Sequence, residues 1–284
     1  MDLPKHIIHE IVERALREDV GGGDVTTLAT IPAGARAEAQ VVMREAGVVA
    51  GLPVLEAVFR QVDPLLSITL QAREGDHAGA GAVVAVVSGA ARSILTAERV
   101  ALNLFQRMCG VATITARYAD LIADRPTKIL DTRKTTPGLR ALEKYAVRVG
   151  GGVNHRFGLY DAVMLKDNHL ALLAAHGIDT AEAVRRAKAG VGPLVVVEVE
   201  CESVEEAQMA ADAGADIILL DNMPPAQLRQ AVTAINGRVP LEASGGITLE
   251  TIRAVAETGV DYISVGALTH SARALDISLE LRAL

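Results

Sequence analysis

The sequence predicts an α/β protein, with a strand-rich N-terminal region followed by a longer stretch in which strands and helices alternate. Three observations carry that expectation. Residues 37–87 hold strand-like runs divided by glycine turns, a helical period begins near Arg92, and six short apolar runs recur after Pro126 with helical patterns between them. Alternation at that pitch argues for parallel βαβ units, closed as a barrel or open as a doubly wound sheet.

At the N-terminus, Ile7, Ile8, Ile11, Val12 and Leu16 are interleaved with Glu10, Glu13 and Arg14, which is the pattern of an amphipathic helix and not of a secretion signal. Strands are expected at Ala39–Met43, Leu66–Leu70 and Val83–Val87. Leu95, Leu102, Phe105 and Met108 then fall on one side of a helix that runs past Tyr118, long enough to join two domains. The later strands are expected at 128–130, 162–165, 194–199, 216–220, 239–243 and 261–265, with a possible short one at Asn154–Arg156. That count falls short of the eight of a complete barrel, so an open or irregular one is expected. A helix is expected at 248–258.

Composition narrows the function. With 284 residues, half of them hydrophobic and 22% charged, the chain is neither disordered, collagen-like nor a disulfide scaffold. Only 2% of residues are aromatic, there is no Trp and the net charge is -7, all of which speak against a nucleic-acid partner. Cys109 and Cys201 stand far apart without histidines at ligand spacing, so neither a zinc site nor a disulfide framework is read, and a cytoplasmic location is expected. The longest uncharged stretch, His77–Ala91, holds three glycines and is too short to span a bilayer, so no membrane segment is expected.

The residues directly after the apolar runs carry the chemistry. Asp131-Thr132-Arg133-Lys134, Lys166-Asp167-Asn168, Glu198-Val199-Glu200, Asp221-Asn222, Ser244-Gly245-Gly246 and Gly266 each follow one. In a parallel α/β barrel all strand C-termini open at one mouth, so these residues are expected to converge there. Residues 131–170 carry a local charge of +3, leaving -10 for the rest of the chain, a pattern suited to a small polyanion. Gly245-Gly246 before a helix offers backbone N–H groups to a phosphate. Glu200 and Asp221 suit sugar hydroxyls, magnesium or a developing cation. Glu198 reads as a structurally paired residue, and Lys144 with Arg148 as an exposed helix face.

Asp131-Thr132-Arg133-Lys134-Thr135-Thr136-Pro137-Gly138-Leu139-Arg140, with Glu143 through Val147, Gly150-Gly151-Gly152, Asn154-His155-Arg156, Gly158-Leu159-Tyr160-Asp161 and Lys166-Asp167-Asn168-His169, resembles the quinolinate phosphoribosyltransferases. Glu18-Asp19, Gly23 through Thr27, Glu98-Arg99 with Ala101-Leu102-Asn103, and Glu242 through Ile247 extend the likeness over nearly the whole chain. Val153 stands where that family often has a second histidine. The resemblance implies an N-terminal α/β sandwich over residues 1–108, an open seven-stranded parallel α/β barrel over 109–266, and a segment 267–284 returning to the first domain.

It also implies transfer of phosphoribosyl from 5-phosphoribosyl 1-pyrophosphate to quinolinate, with decarboxylation to nicotinate mononucleotide, in a magnesium-dependent homodimer of NAD biosynthesis. By the same resemblance Arg133, His155, Arg156 and Lys166 bind quinolinate, and Arg99 joins them from the neighbouring subunit. Lys134, Glu200 and Asp221 serve catalysis, the two acids also holding magnesium, while Ser244, Gly245, Gly246, Gly266 and His270 bind phosphate. Two alternatives stand beside this: a Schiff-base aldolase using Lys166, and a relative associated with molybdate transport that serves in binding.

Overall fold

The computed structural model describes residues 3–284. Its first elements are α1 (Lys5–Val20), α2 (Val25–Thr30), β1 (Arg36–Met43), β2 (Gly47–Val48), α3 (Leu52–Val62), β3 (Ser67–Leu70), β4 (His77–Ala78), β5 (Val83–Ala90) and α4 (Ala91–Leu121). Then come β6 (Lys128–Leu130), α5 (Arg140–Val149), β7 (Val163–Leu165), α6 (Asp167–Ala174), α7 (Thr180–Gly190), β8 (Val197–Cys201) and α8 (Val204–Asp212). The chain finishes with β9 (Ile217–Asp221), α9 (Pro225–Ile235), β10 (Leu241–Ser244), α10 (Ile252–Ala256), β11 (Tyr262–Ser264), α11 (Ala267–His270) and β12 (Ile277–Ala283). Two units result. The first holds the residues to Ala116 with Thr135–Gly151 and Ala267–Leu284; the second holds Arg117–Lys134 and Gly152–Gly266. The chain thus leaves the first unit inside α4, eight residues beyond the expected boundary at 108, and α5 belongs to the first unit.

In the first unit an antiparallel sheet runs in the order β12-β1-β5-β3. β1 pairs with β12 from Ala37↔Ala283 to Met43↔Ile277, so the residues after 276 complete a sheet begun at residue 36. The amphipathic α1 buries Ile8, Ile11 and Val12, and α3 buries Leu52, Val54, Leu55, Val58 and Phe59. α3 starts on Gly51 at φ 101, where a Cβ would meet the Met108 sulfur at 2.6 Å, so glycine is required twice over. The Glu74 carboxylate, from outside the helix, accepts the Gly51 and Leu52 N–H groups that begin it. In α5, Glu143 and Lys144 are both buried, which corrects the expected exposed face at Lys144. Glu143 accepts from Arg107 at 2.7 Å, and the same guanidinium donates to the carbonyls of Thr269 and Ala272. A buried carboxylate tied to an arginine in this way joins three chain segments of the unit.

The second unit is a six-stranded parallel sheet in the order β6-β11-β10-β9-β8-β7. A seventh strand is reduced to Val153, which forms a single parallel bridge with Leu130 just before Asn154. Strand pleat and register divide the sheet into two faces. Val197, Val199, Cys201, Ile218, Leu220, Leu241, Ala243 and Ile263 lie on one, all buried; helices α7 to α10 cover this side with Val184, Ala207, Ala210, Leu228, Ile235 and Ile252. Each fully buried Leu, Ile or Val of that layer contributes about 1.5–3 kcal/mol. Glu198, Glu200, Leu219, Asp221, Glu242 and Ser244 lie on the other, by their i, i+2 spacing and the pairings Leu219↔Glu242 and Asp221↔Ser244. The helix expected at 248–258 is shorter, covering only Ile252–Ala256. Residues 248–251 form a turn instead, in which the Thr251 hydroxyl accepts from the Thr248 N–H. A helix dipole is therefore not what Gly245-Gly246 presents to an anion.

Candidate active site

The polar face of the second unit is layered. Deepest are Glu198 and Glu242, exposed by only 2% and 1%. Above them, two residues further along the same strands, stand Glu200 and Ser244, with Asp221 beside them at the end of β9. The stretch after β6 is anchored by Asp131, fully buried, whose carboxylate accepts from Asn154 Nδ2 at 2.6 Å and from the His155 backbone N–H at 2.9 Å. Asp131 thereby fixes Asn154 and His155, although they lie more than twenty residues away in sequence.

His155 Nδ1 accepts the Arg156 N–H at 2.7 Å, which leaves Nε2 as the proton-bearing donor to Glu198 Oε2 at 3.0 Å, with Glu242 Oε2 at 3.5 Å. These three side chains bring ligand atoms within 4.8 Å of one another. A ring nitrogen that carries a proton offers no lone pair to a metal, so the trio fits a proton-sharing cluster better than a metal centre. Burial, and then the Glu198 carboxylate, push the Glu242 carboxyl up to about 8; His155 and the Ser264 hydroxyl oppose the rise.

Arg156 is held by the Ala162 carbonyl at 3.0 Å from Nη1. Burial and the neighbouring Arg133 pull its guanidinium below the ordinary value, an effect that Glu198 and Asp161 offset in part. Two guanidiniums close enough to repel each other define a place for an anion with more than one negative charge. Lys166 is exposed at the end of β7, and its charge acts on Glu200. Its exposure denies it the desolvation that a Schiff-base lysine needs. Lys134 is likewise exposed, its backbone N–H donating to Thr132 Oγ1 at 3.0 Å.

Glu200 is half-buried. Burial first, and then the Asp221 carboxylate, raise it above an ordinary glutamate, while Lys166 and the Asp167 N–H act the other way. A carboxylate raised by a neighbouring carboxylate is relieved by a hard divalent cation, and the oxygen donors of the two side chains suit magnesium. Beside them Gly245 and Gly246 take φ of +96° and +61°, left-handed conformations that glycine adopts without a Cβ penalty. Arg99, exposed on α4, and His270, exposed on α11 with its Nδ1 2.6 Å from Ser271 Oγ, belong to the first unit. Cys109 and Cys201 are free, buried thiols pushed up to about 12 by burial. Among the described residues no helix is long and apolar enough to cross a membrane.

A parallel sheet whose strand ends gather arginines and lysines, two acids and a glycine turn defines a class of protein that handles phosphorylated, polyanionic small molecules at one mouth. Residues 24–109 match the N-terminal domain of quinolinate phosphoribosyl transferase and residues 111–280 its C-terminal domain. The chain belongs to the quinolinate phosphoribosyltransferase family. It is 43% identical over 274 residues, covering 96% of this chain and 93% of the relative, to the probable nicotinate-nucleotide pyrophosphorylase [carboxylating] of Bacillus subtilis. It is 45% identical to the Mycobacterium leprae nicotinate-nucleotide pyrophosphorylase [carboxylating], over 96% of both chains. The crystal structure of NadC from Streptococcus pyogenes superposes with a TM-score of 0.95 at 46% identity, covering 100% of this chain and 99% of that one.

The site residues missed by sequence reasoning are Glu242 as a buried partner of His155, and Asp131 as the anchor of Asn154 and His155. Asp131 carried a signal, because an acid directly after an apolar run is costly to bury unless its oxygens have dedicated donors.

Proposed function

We propose that this protein transfers phosphoribosyl from 5-phosphoribosyl 1-pyrophosphate to quinolinate and decarboxylates the product to nicotinate mononucleotide, releasing pyrophosphate and carbon dioxide. The observation that carries the reading is Arg156, half-buried with the charge of Arg133 acting on it, a pairing of cations that a dicarboxylate would offset. Arg133, Arg156, His155 and Lys166 bind quinolinate in this reading, with His155 held by Glu198 so that its ring keeps one orientation. The Ser244 hydroxyl and the Gly245, Gly246 and Gly266 backbone receive the donor's phosphates.

Lys134 offers a cation where negative charge gathers on the departing pyrophosphate. Glu200 and Asp221 orient the ribose hydroxyls and stabilise the positive charge that develops at the anomeric carbon as that bond breaks. The same two acids are the residues that would hold magnesium, which when bound offsets charge on the pyrophosphate. The quinolinate ring nitrogen then bonds to the sugar; the adjacent carboxylate departs as carbon dioxide, and the electron pair it leaves on the ring carbon is stabilised by the positively charged ring nitrogen beside it and then takes a proton from solvent.

The enzyme works as a homodimer in this reading, Arg99 reaching the neighbouring subunit's site, and two buried free thiols suit a reducing cytoplasm. Mixing inactive Arg99→Ala with inactive Lys134→Ala is expected to restore up to about a quarter of wild-type activity, because random exchange pairs half the subunits across types and gives each mixed dimer one intact site. No recovery after demonstrated subunit exchange would remove Arg99 from a shared site. The reaction itself is tested by carbon dioxide release and nicotinate mononucleotide formation from quinolinate, the phosphoribosyl donor and magnesium, with nicotinate as the comparison substrate. Product from quinolinate alone is expected; folded protein yielding none would overturn the proposal.

A further inference from the structure

Asn222 is one of two non-glycine residues with positive φ among the described residues, at 52°. The other, Asn236, caps the C-terminus of α9, a common use of that conformation. Asn222 directly follows β9 and caps no helix, so its left-handed backbone calls for another reason. Its contacts supply one. The side-chain Nδ2 donates to Asp221 Oδ2 at 2.5 Å. The backbone N–H donates to the Ser244 carbonyl at 2.9 Å. The amide also lies against Gly245, where a Cβ would stand 2.1 Å from Asn222 Oδ1 and 2.6 Å from its Cγ. A single side chain thus touches both the acid that ends β9 and the glycine turn that follows β10, and the absence of a Gly245 side chain makes room for it.

The chemistry of an amide fits this position. A neutral donor fixes the plane of the Asp221 carboxylate without cancelling its charge, whereas an aspartate there would set a third carboxylate against Asp221 and Glu200. Glycine would accept the backbone conformation and lose the contact. We propose that Asn222 is a positioning residue that locks the Asp221 carboxylate to the Ser244–Gly245 turn, so that acid and turn grip the phosphoribosyl donor in one register. The inference rests on the reading of the site given above.

The test uses the full chain carrying Asn222→Gly, whose backbone tolerates φ 52°, and Asn222→Asp, which keeps the size and the left-handed tendency. Calorimetric titration with 5-phosphoribosyl 1-pyrophosphate and magnesium is run without quinolinate, beside the KM of each substrate and the Tm. For Asn222→Gly the expected result is donor binding weaker by about tenfold or more, quinolinate KM within about twofold of wild type and Tm nearly unchanged. Asn222→Asp should bind the donor more weakly still, and it decides the matter if the glycine variant fails to fold. Donor binding within about twofold of wild type in the folded variants would overturn the inference. So would equal losses for both substrates with a lowered Tm, because a merely structural role predicts that pattern. Wild-type protein that neither binds the donor nor forms product would overturn the functional reading itself, an outcome distinct from an active wild type with indifferent variants.

Discussion

Glu198 and Glu200 sit two residues apart on one face of β8 and live in different surroundings. Glu198 is buried with Glu242 and has a dedicated partner in His155. Glu200 is half-buried at the strand end, raised by the Asp221 carboxylate next to it. One step along a strand, about 6–7 Å, separates a carboxylate with a fixed buried partner from one that stands half-buried at the strand end. Depth in the sheet decides the role, because burial makes a fixed partner obligatory for the lower residue and leaves the upper one able to take its counter-charge from what binds.

The largest expected effects lie at the mouth. Asp221→Ala and Lys134→Ala should each lower kcat by about 10²–10³-fold while Tm moves by no more than a few degrees, measured by steady-state kinetics and calorimetry. A comparable fall in stability would erase the distinction between the two layers. Next is Arg133→Ala, expected to raise the quinolinate KM by about 10–100-fold with little change in the donor KM, since one charge-assisted contact is removed. In the deep layer, Glu198→Ala should cost about 1–3 kcal/mol of stability in denaturant unfolding, because His155 and Glu242 stay buried without their common partner.

The last prediction is a pH dependence. The Glu242 carboxyl stands at about 8 against an ordinary 4.5, so between those values the folded protein holds a proton that the unfolded chain has released. Stability therefore falls as pH rises from about 4.5 to about 8 and levels beyond. Glu242→Gln should match wild type near pH 5 and exceed its Tm by a few degrees near pH 9. An unchanged slope would assign the proton elsewhere.

The sequence made the strands legible because apolar runs at βαβ pitch admit few other readings, and all six runs after Pro126 became strands. Glu200 and Asp221 stood out as polar residues ending apolar runs. The contact of Glu242 with His155 did not, since it joins residues 87 positions apart across the polar face of the sheet, which no local period records. The helix expected at 248–258 shrank because the Thr251 hydroxyl captures the Thr248 N–H in a turn that follows two left-handed glycines. Lys144 was misplaced for a different reason: helical period shows which residues share a face and not which face is covered.

The pairing of β1 with β12 also has a cost during synthesis. β1 emerges from the ribosome some 240 residues before its partner, and until residues 277–283 appear one side of it presents bare N–H and C=O groups. A nascent chain with such an open edge is a target for chaperones and for pairing with its neighbours on the same message. The first unit closes only once residues 277–283 have been made, so slow decoding of the stretch that encodes them prolongs that exposure.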